Sequence, residues 1–191
     1  MILFNREKYL PEFDFVADSK LKCYANMFDK LESEVLYALV RDIKPLHIME
    51  LGAHKGWQTH IFLKACRKNK CGEITSFDII DNSQHFDCNI RKLVVGDARN
   101  TALDYIDECD FLFIDADHSE EFTRWYCENL LPRYKKGYIW VHDWYGEDTD
   151  RTEPLIIVKS EIYKTSIHQV INLWDYDDKN SSPSQILHKS P

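Results

Sequence analysis

Five carboxylates in this chain stand at the ends of five short apolar runs: Glu50, Asp78, Asp97, Asp115 and Asp143. Two histidines accompany the last pair, His118 three residues after Asp115 and His142 directly before Asp143. A carboxylate can accept two hydrogen bonds from a diol or hold a divalent cation. An imidazole titrates near neutrality and can take a proton from a hydroxyl. Taken singly these residues say little, because an acid after a strand often only caps the next helix. Five such groups delivered to one rim are another matter, since burying them without ligands would cost several kcal/mol per ion.

The elements that must deliver them alternate in type. The first 45 residues read as mainly helical, with an apolar stripe through Leu31, Val35, Leu36, Ala38, Leu39 and Val40 that ends before Pro45. His47–Leu51 is a first strand, followed by Gly52 and Gly56 and a helix carrying Trp57, Ile61, Phe62, Ala65 and Cys66, with Gly72 as its left-handed stop. Strands follow at 74–80, 92–96, 110–115 and 137–141, separated by helices at 98–108 and after Ser119. A polar loop at 145–153, a helix near 154–164 and strands near 168–174 and 185–188 complete the chain. Strands alternating with helices predict right-handed crossovers and a mostly parallel sheet. Ligands of such sheets bind beyond the carboxyl ends of the strands, where the five acids lie.

The glycine pattern selects among nucleotide sites. Neither G-x-G-x-x-G nor a terminal G-K-[ST] occurs. The string Glu50-Leu-Gly52-Ala-His-Lys-Gly56 instead resembles motif I of the class I S-adenosylmethionine-dependent methyltransferases, with His54 where the commonest version has a middle glycine. Phe111-Leu-Phe-Ile-Asp-Ala-Asp-His118 and Gly137-Tyr-Ile-Trp-Val-His-Asp143 are similar to a group of metal-dependent small-molecule O-methyltransferases, which includes cephalosporin-hydroxylase-like and macrolide-sugar enzymes. The resemblance spans roughly residues 45–145.

It implies a Rossmann-like α/β fold: a seven-stranded, mostly parallel sheet with helices on both faces and the last strand antiparallel. One domain covers 1–191: a helical segment (1–45), a cofactor-binding core (46–145) and a C-terminal helix and strands (146–191). It also implies roles. Glu50, Gly52 and Gly56 line the methionine and ribose of S-adenosylmethionine, Asp78 the ribose hydroxyls and Asp97 the adenine amine; Ala53, Thr59, Gly96 and Asp115 complete that set. Asp115 and Asp143 bind a divalent metal, and His118 with Asp115 carries the catalysis, His118 as base; this chain departs from the pattern in having His142, a further candidate ligand, where relatives often have a glutamate. The strands ending in Asp115 and Asp143 are neighbours about 4.8 Å apart in such a sheet, so both carboxylates can converge on Mg²⁺. His142 tilts the preference toward softer ions such as Mn²⁺.

Composition narrows the setting. Acidic residues outnumber basic ones 32 to 24, and the basic ones are scattered, which disfavours a nucleic-acid partner. No stretch approaches the roughly 20 apolar residues of a membrane span. The N-terminus carries no signal-peptide pattern, and six cysteines without a C-x-x-C pair read as reduced thiols, so the cytoplasm is the expected address. The partner is a small-molecule acceptor, with a second subunit available to complete a shallow pocket. Two other readings stay open: a metal-dependent hydrolase built on Asp115, Asp117, His118 and Asp143, and a non-catalytic nucleotide-binding module.

Overall fold

The computed structural model describes residues 6–13, 30–82, 89–142, 152–172 and 185–189. The strands are β1 (His47–Leu51), β2 (Glu73–Asp78), β3 (Arg91–Val95), β4 (Phe111–Ile114), β5 (Gly137–Val141), β6 (Ile167–Asn172) and β7 (Gln185–Lys189). They pair in the order β3-β2-β1-β4-β5-β7-β6. Pairs from β3 through β5 are parallel, whereas β7 runs antiparallel to both β5 and β6. The expected α/β sheet, mostly parallel with an antiparallel last strand, is the one found.

The sheet has two buried faces because its central strands alternate two apolar sets. Ile48, Phe111, Phe113 and Trp140 point into one layer, packed with Val35, Leu36 and Leu39 of α2 (Lys30–Ile43) and Ile61 and Phe62 of α3 (Trp57–Asn69). Met49, Leu51, Leu112, Ile114, Ile139 and Val141 point into the other. There they meet Ala98 of α4 (Ala98–Thr101), Phe122 of α5 (Glu120–Trp125) and Ile157 of α6 (Thr152–Lys159). A short N-terminal helix, α1 (Arg6–Tyr9), precedes these, and α7 (Glu161–Ser166) follows.

Local chemistry explains where several elements stop. Helix α3 ends on Lys70, itself left-handed at φ 59°, with its amide donating to Arg67 and Cys66 carbonyls. Gly72 is therefore not the stop expected from the sequence; a Cβ there would lie 2.8 Å from both Cys66 Sγ and the Pro45 carbonyl, so it serves close packing. The helix expected over 98–108 is only α4, followed by a 3₁₀ turn at Ala102–Asp104. Ser119 caps α5 as expected, accepting from the Phe122 amide, and a π turn at Tyr126–Leu130 extends it. The single helix expected at 154–164 is split by Ser160, which caps α7 by accepting from the Tyr163 amide.

Candidate functional site

The sheet ladders run one step past the strand ends, and this aligns a rim. Gly96 donates its amide to the Asp78 carbonyl, Gly52 to Phe77, Asp115 to Leu51 and His142 to Ile114, at 2.8–2.9 Å. Along the strand order the rim thus presents Gly96, Asp78, Gly52, Asp115 and His142. Of the five acids expected on a common ledge, Asp78 and Asp115 stand on this rim, Asp97 follows Gly96, and Glu50 is buried below it. Asp143, Trp144 and the acidic loop residues Glu147, Asp148 and Asp150 lie outside the described residues.

Gly52 sits at the tightest point. Its φ is +88°, and a Cβ there would fall 1.8 Å from the Asp115 carbonyl oxygen and 2.9 Å from the Ala116 Cα. The glycine is needed because the chain leaving β1 touches the chain leaving β4. Gly56, also at positive φ (84°), begins α3 with its amide on the Ala53 carbonyl. Ala53 and Thr59 are buried beneath this loop.

Glu50 is fully buried below the rim. Its Oε2 accepts from Thr59 Oγ1 at 2.7 Å and from Ser76 Oγ at 2.5 Å, tying β1 to α3 and β2, while Oε1 has no hydrogen-bond partner among the described residues. Burial pushes this carboxyl up to about 7, against the pull of the Ser76 and Thr59 hydroxyls. Between its ordinary 4.5 and about 7 the folded protein holds a proton that the unfolded chain has released. Stability therefore falls as pH rises through that window, by an amount on the order of 3 kcal/mol. Glu50→Gln keeps an acceptor for Thr59 and Ser76 and removes the charge. We expect it to raise the melting temperature of the ligand-free protein at pH 8 and to leave it unchanged at pH 4. An unchanged or lower value at pH 8 would mean the buried charge is already compensated.

Asp78 spans two loops: Oδ2 accepts the His54 amide at 2.6 Å and Oδ1 the Ile80 amide at 3.0 Å. Asp97 caps α4 through the Arg99 amide and faces the Arg99 guanidinium at 2.7 Å, which holds its carboxyl below the ordinary range. Beside Asp78 stand three exposed apolar side chains, Ile79, Ile80 and Val95.

Past Gly52 the rim becomes a chain of alternating carboxylates and imidazoles. Asp115 Oδ1 lies 3.2 Å from His142 Nδ1 and 3.8 Å from His118 Nε2. The outer nitrogen of each ring meets a further acid: His142 Nε2 is 3.1 Å from Glu32 of α2, and His118 Nδ1 is 2.8 Å from Glu153 of α6. Burial pushes the Asp115 carboxyl up, but His142 and His118 pull harder and hold it well below the usual carboxylate range. Asp115, then Glu153, raise His118 to about 10 against its burial. The two flanking carboxylates thus raise the His118 ring above the near-neutral titration expected from the sequence. Asp117, by contrast, is exposed and accepts from the Ser119 amide and hydroxyl, so it serves the helix start.

Glu32 and Glu153 are site residues that sequence reasoning passed over. Each is an acid in the first turn of its helix, where the macrodipole alone would account for it. The available signal was the company Glu153 keeps, an acid at the head of the apolar stretch Leu155-Ile-Ile-Val158.

Comparison with known proteins agrees with this architecture. No curated protein matches the chain by sequence. Among solved structures, the SAH-bound Podospora anserina methyltransferase PaMTH1 superposes with a TM-score of 0.62 at 18% identity, over 87% of this chain and 82% of that one. The Bacillus cereus O-methyltransferase in complex with SAH gives 0.63 at 15%, over 98% and 100%. The Streptomyces achromogenes O-methyltransferase TomG, involved in tomaymycin synthesis and solved with SAM, gives 0.65 at 12%, over the full length of both. At such identities the likeness is one of fold. A family described as a methyltransferase domain matches residues 49–144, half of the chain, from the middle of β1 to just past β5. The chain belongs to this methyltransferase-domain family.

Proposed function

We propose that the chain transfers a methyl group from S-adenosylmethionine to a hydroxyl of a small acceptor. The observation that carries this reading is the adjacency along one rim of Gly96, Asp78 and Gly52 on one side and Asp115 with His118 on the other. The first side fits the cofactor. Asp78 uses one lone pair per oxygen on a backbone amide and keeps the others for a ribose diol. Ile79, exposed at 72%, with Ile80 and Val95, offers an apolar step for the base. When bound, the cofactor supplies an electrophilic methyl group on a sulfonium.

The protein's own groups do the rest. Gly52 brings the loop after β1 against Asp115. His118 is placed by Glu153 so that Nε2 faces Asp115 across 3.8 Å, too far for a direct hydrogen bond, and there the neutral fraction of the ring, which grows as pH rises, can take an acceptor's proton. With the cofactor bound, an oxygen deprotonated by His118 would receive the methyl group as the carbon–sulfur bond breaks and S-adenosylhomocysteine leaves as the neutral thioether.

The expected Mg²⁺ or Mn²⁺ fits the described residues poorly. No three described His, Cys, Asp or Glu side chains converge as a metal requires. His142 has a carboxylate at each ring nitrogen, and Asp115 is already flanked by two imidazoles. No step is therefore routed through a metal. A hydrolase reading loses support as well, because Asp117 is committed to Ser119.

We place the protein in the cytoplasm. Cys66, Cys71, Cys109 and Cys127 are free thiols, which suits a reducing compartment. No helix among the described residues is long and apolar enough to cross a membrane. The test is methyl transfer from labelled S-adenosylmethionine to a panel of phenols, catechols and sugars, with and without a chelator. We expect labelled product without chelator, and its loss on adding chelator would assign a metal to the site. Phosphoester hydrolysis without cofactor, and no labelled product, would contradict the reading.

A further inference from the structure

His118 could present either ring nitrogen to an acceptor, and nothing on its own element decides which. The decision comes from a distant part of the chain. Glu153, in the first turn of α6, is 35 residues further along and its side chain is 3% exposed. Its Oε2 stands 2.8 Å from His118 Nδ1, and its Oε1 accepts from the Tyr126 hydroxyl at 2.6 Å. Tyr126 is itself fully buried, at the start of the π turn. Both carboxylate oxygens are thus engaged, and the group is gripped from two elements.

With Glu153 accepting at Nδ1, that nitrogen keeps its hydrogen whether the ring carries one proton or two, so Nε2 is the nitrogen that gains and loses a proton. Nε2 is then the nitrogen left for the rim, facing Asp115. A buried acid held this firmly is more than a helix-start acid. A surface residue would favour the macrodipole equally well, without burial or a tyrosine to fix it.

We propose that Glu153, anchored by Tyr126, is a positioning residue that fixes the His118 ring with Nδ1 inward and Nε2 toward the acceptor. It acts through His118 and touches no substrate. The inference rests on the reading of His118 as the base, and the experiment separates the two.

Two independent readouts are needed. The first is proton and ¹⁵N NMR of the ligand-free protein labelled at histidine. A downfield, slowly exchanging Nδ1 proton of His118 is expected in the wild type, with faster exchange in Tyr126→Phe and loss of the signal in Glu153→Gln and Glu153→Ala. The second is turnover with the best acceptor of the panel. Glu153→Gln, nearly isosteric and least able to disturb the fold, should lower kcat about 10-fold and Glu153→Ala about 100-fold, within the range a positioned base contributes. The KM for acceptor and the affinity for S-adenosylhomocysteine should stay within about twofold. In a His118→Ala background Glu153→Gln should cost nothing further, because the two act as a unit.

A wild-type protein without a protected Nδ1 proton would overturn the proposal. So would an equal loss from Glu153→Gln with and without His118. Full activity of His118→Ala would instead remove the base reading, while the NMR signal would still report the pair.

Discussion

Gly52→Ala is expected to be the most damaging single-methyl change in the site. Two costs add. The residue sits at φ +88°, where a side chain costs about 1–2 kcal/mol of backbone strain. The new Cβ would also lie 1.8 Å from the Asp115 carbonyl oxygen, which is backbone and cannot swing aside. Overpacking of this kind costs about 1–3 kcal/mol, and here it forces the ends of β1 and β4 apart. Together they remove a large share of a typical domain's 5–15 kcal/mol. Gly96→Ala is the control, because that position is also at positive φ (137°) but has nothing within 4 Å of a Cβ. Thermal melts should show a clearly larger drop for Gly52→Ala, with turnover lost from whatever remains folded. Equal drops would mean the close approach of the two strand ends carries no energetic weight.

His118→Ala is expected to lower kcat by about 10²–10⁴-fold while leaving S-adenosylhomocysteine affinity unchanged. The pH dependence has a definite sign. Asp115 and Glu153 face the ring and raise it to about 10, with His142 beyond Asp115 and Tyr126 beyond Glu153. Only the neutral ring accepts a proton. The value of kcat/KM, which reports the free enzyme, should climb about tenfold per pH unit from 7 toward 10. Stability runs the other way. The contribution from His118 is complete below its ordinary 6.5 and is lost as pH rises through about 10, so the profile must be collected alongside melting temperatures. A flat profile between pH 7 and 9, or undiminished turnover in His118→Ala, would discard this residue as the base.

Local patterns carried most of the fold and about half of the site. The strand expected at 110–115 is β4, and its four apolar residues, Phe111–Ile114, alternate between the two cores. Gly52 was legible as the first residue of the loop after β1, but the backbone after β4 that lies against it was not. Glu50 read as an acid at a strand end, but strand parity turns it under the loop toward Thr59 and Ser76. The parts that escaped are those set by helices crossing the sheet. Nothing near Glu32 or Glu153 in sequence says that α2 and α6 will bring them to His142 and His118. Of the two acids that raise His118, Asp115 was in view three residues away, and only the part played by Glu153 was hidden for the same reason. Lys70 ending α3 in a left-handed turn, two residues before a glycine, shows tertiary packing overriding a local preference.

The central claim is that the rim from Gly96 to Asp115 holds a sulfonium nucleoside. Calorimetric titration of the protein with S-adenosylmethionine, S-adenosylhomocysteine and NAD, repeated with Asp78→Ala, tests it most directly. The account predicts one-site binding of both sulfur nucleotides, affinity weakened at least about tenfold by Asp78→Ala, as expected for losing a charged hydrogen-bond acceptor, and no binding of NAD. Binding of NAD with neither sulfur nucleotide would contradict it.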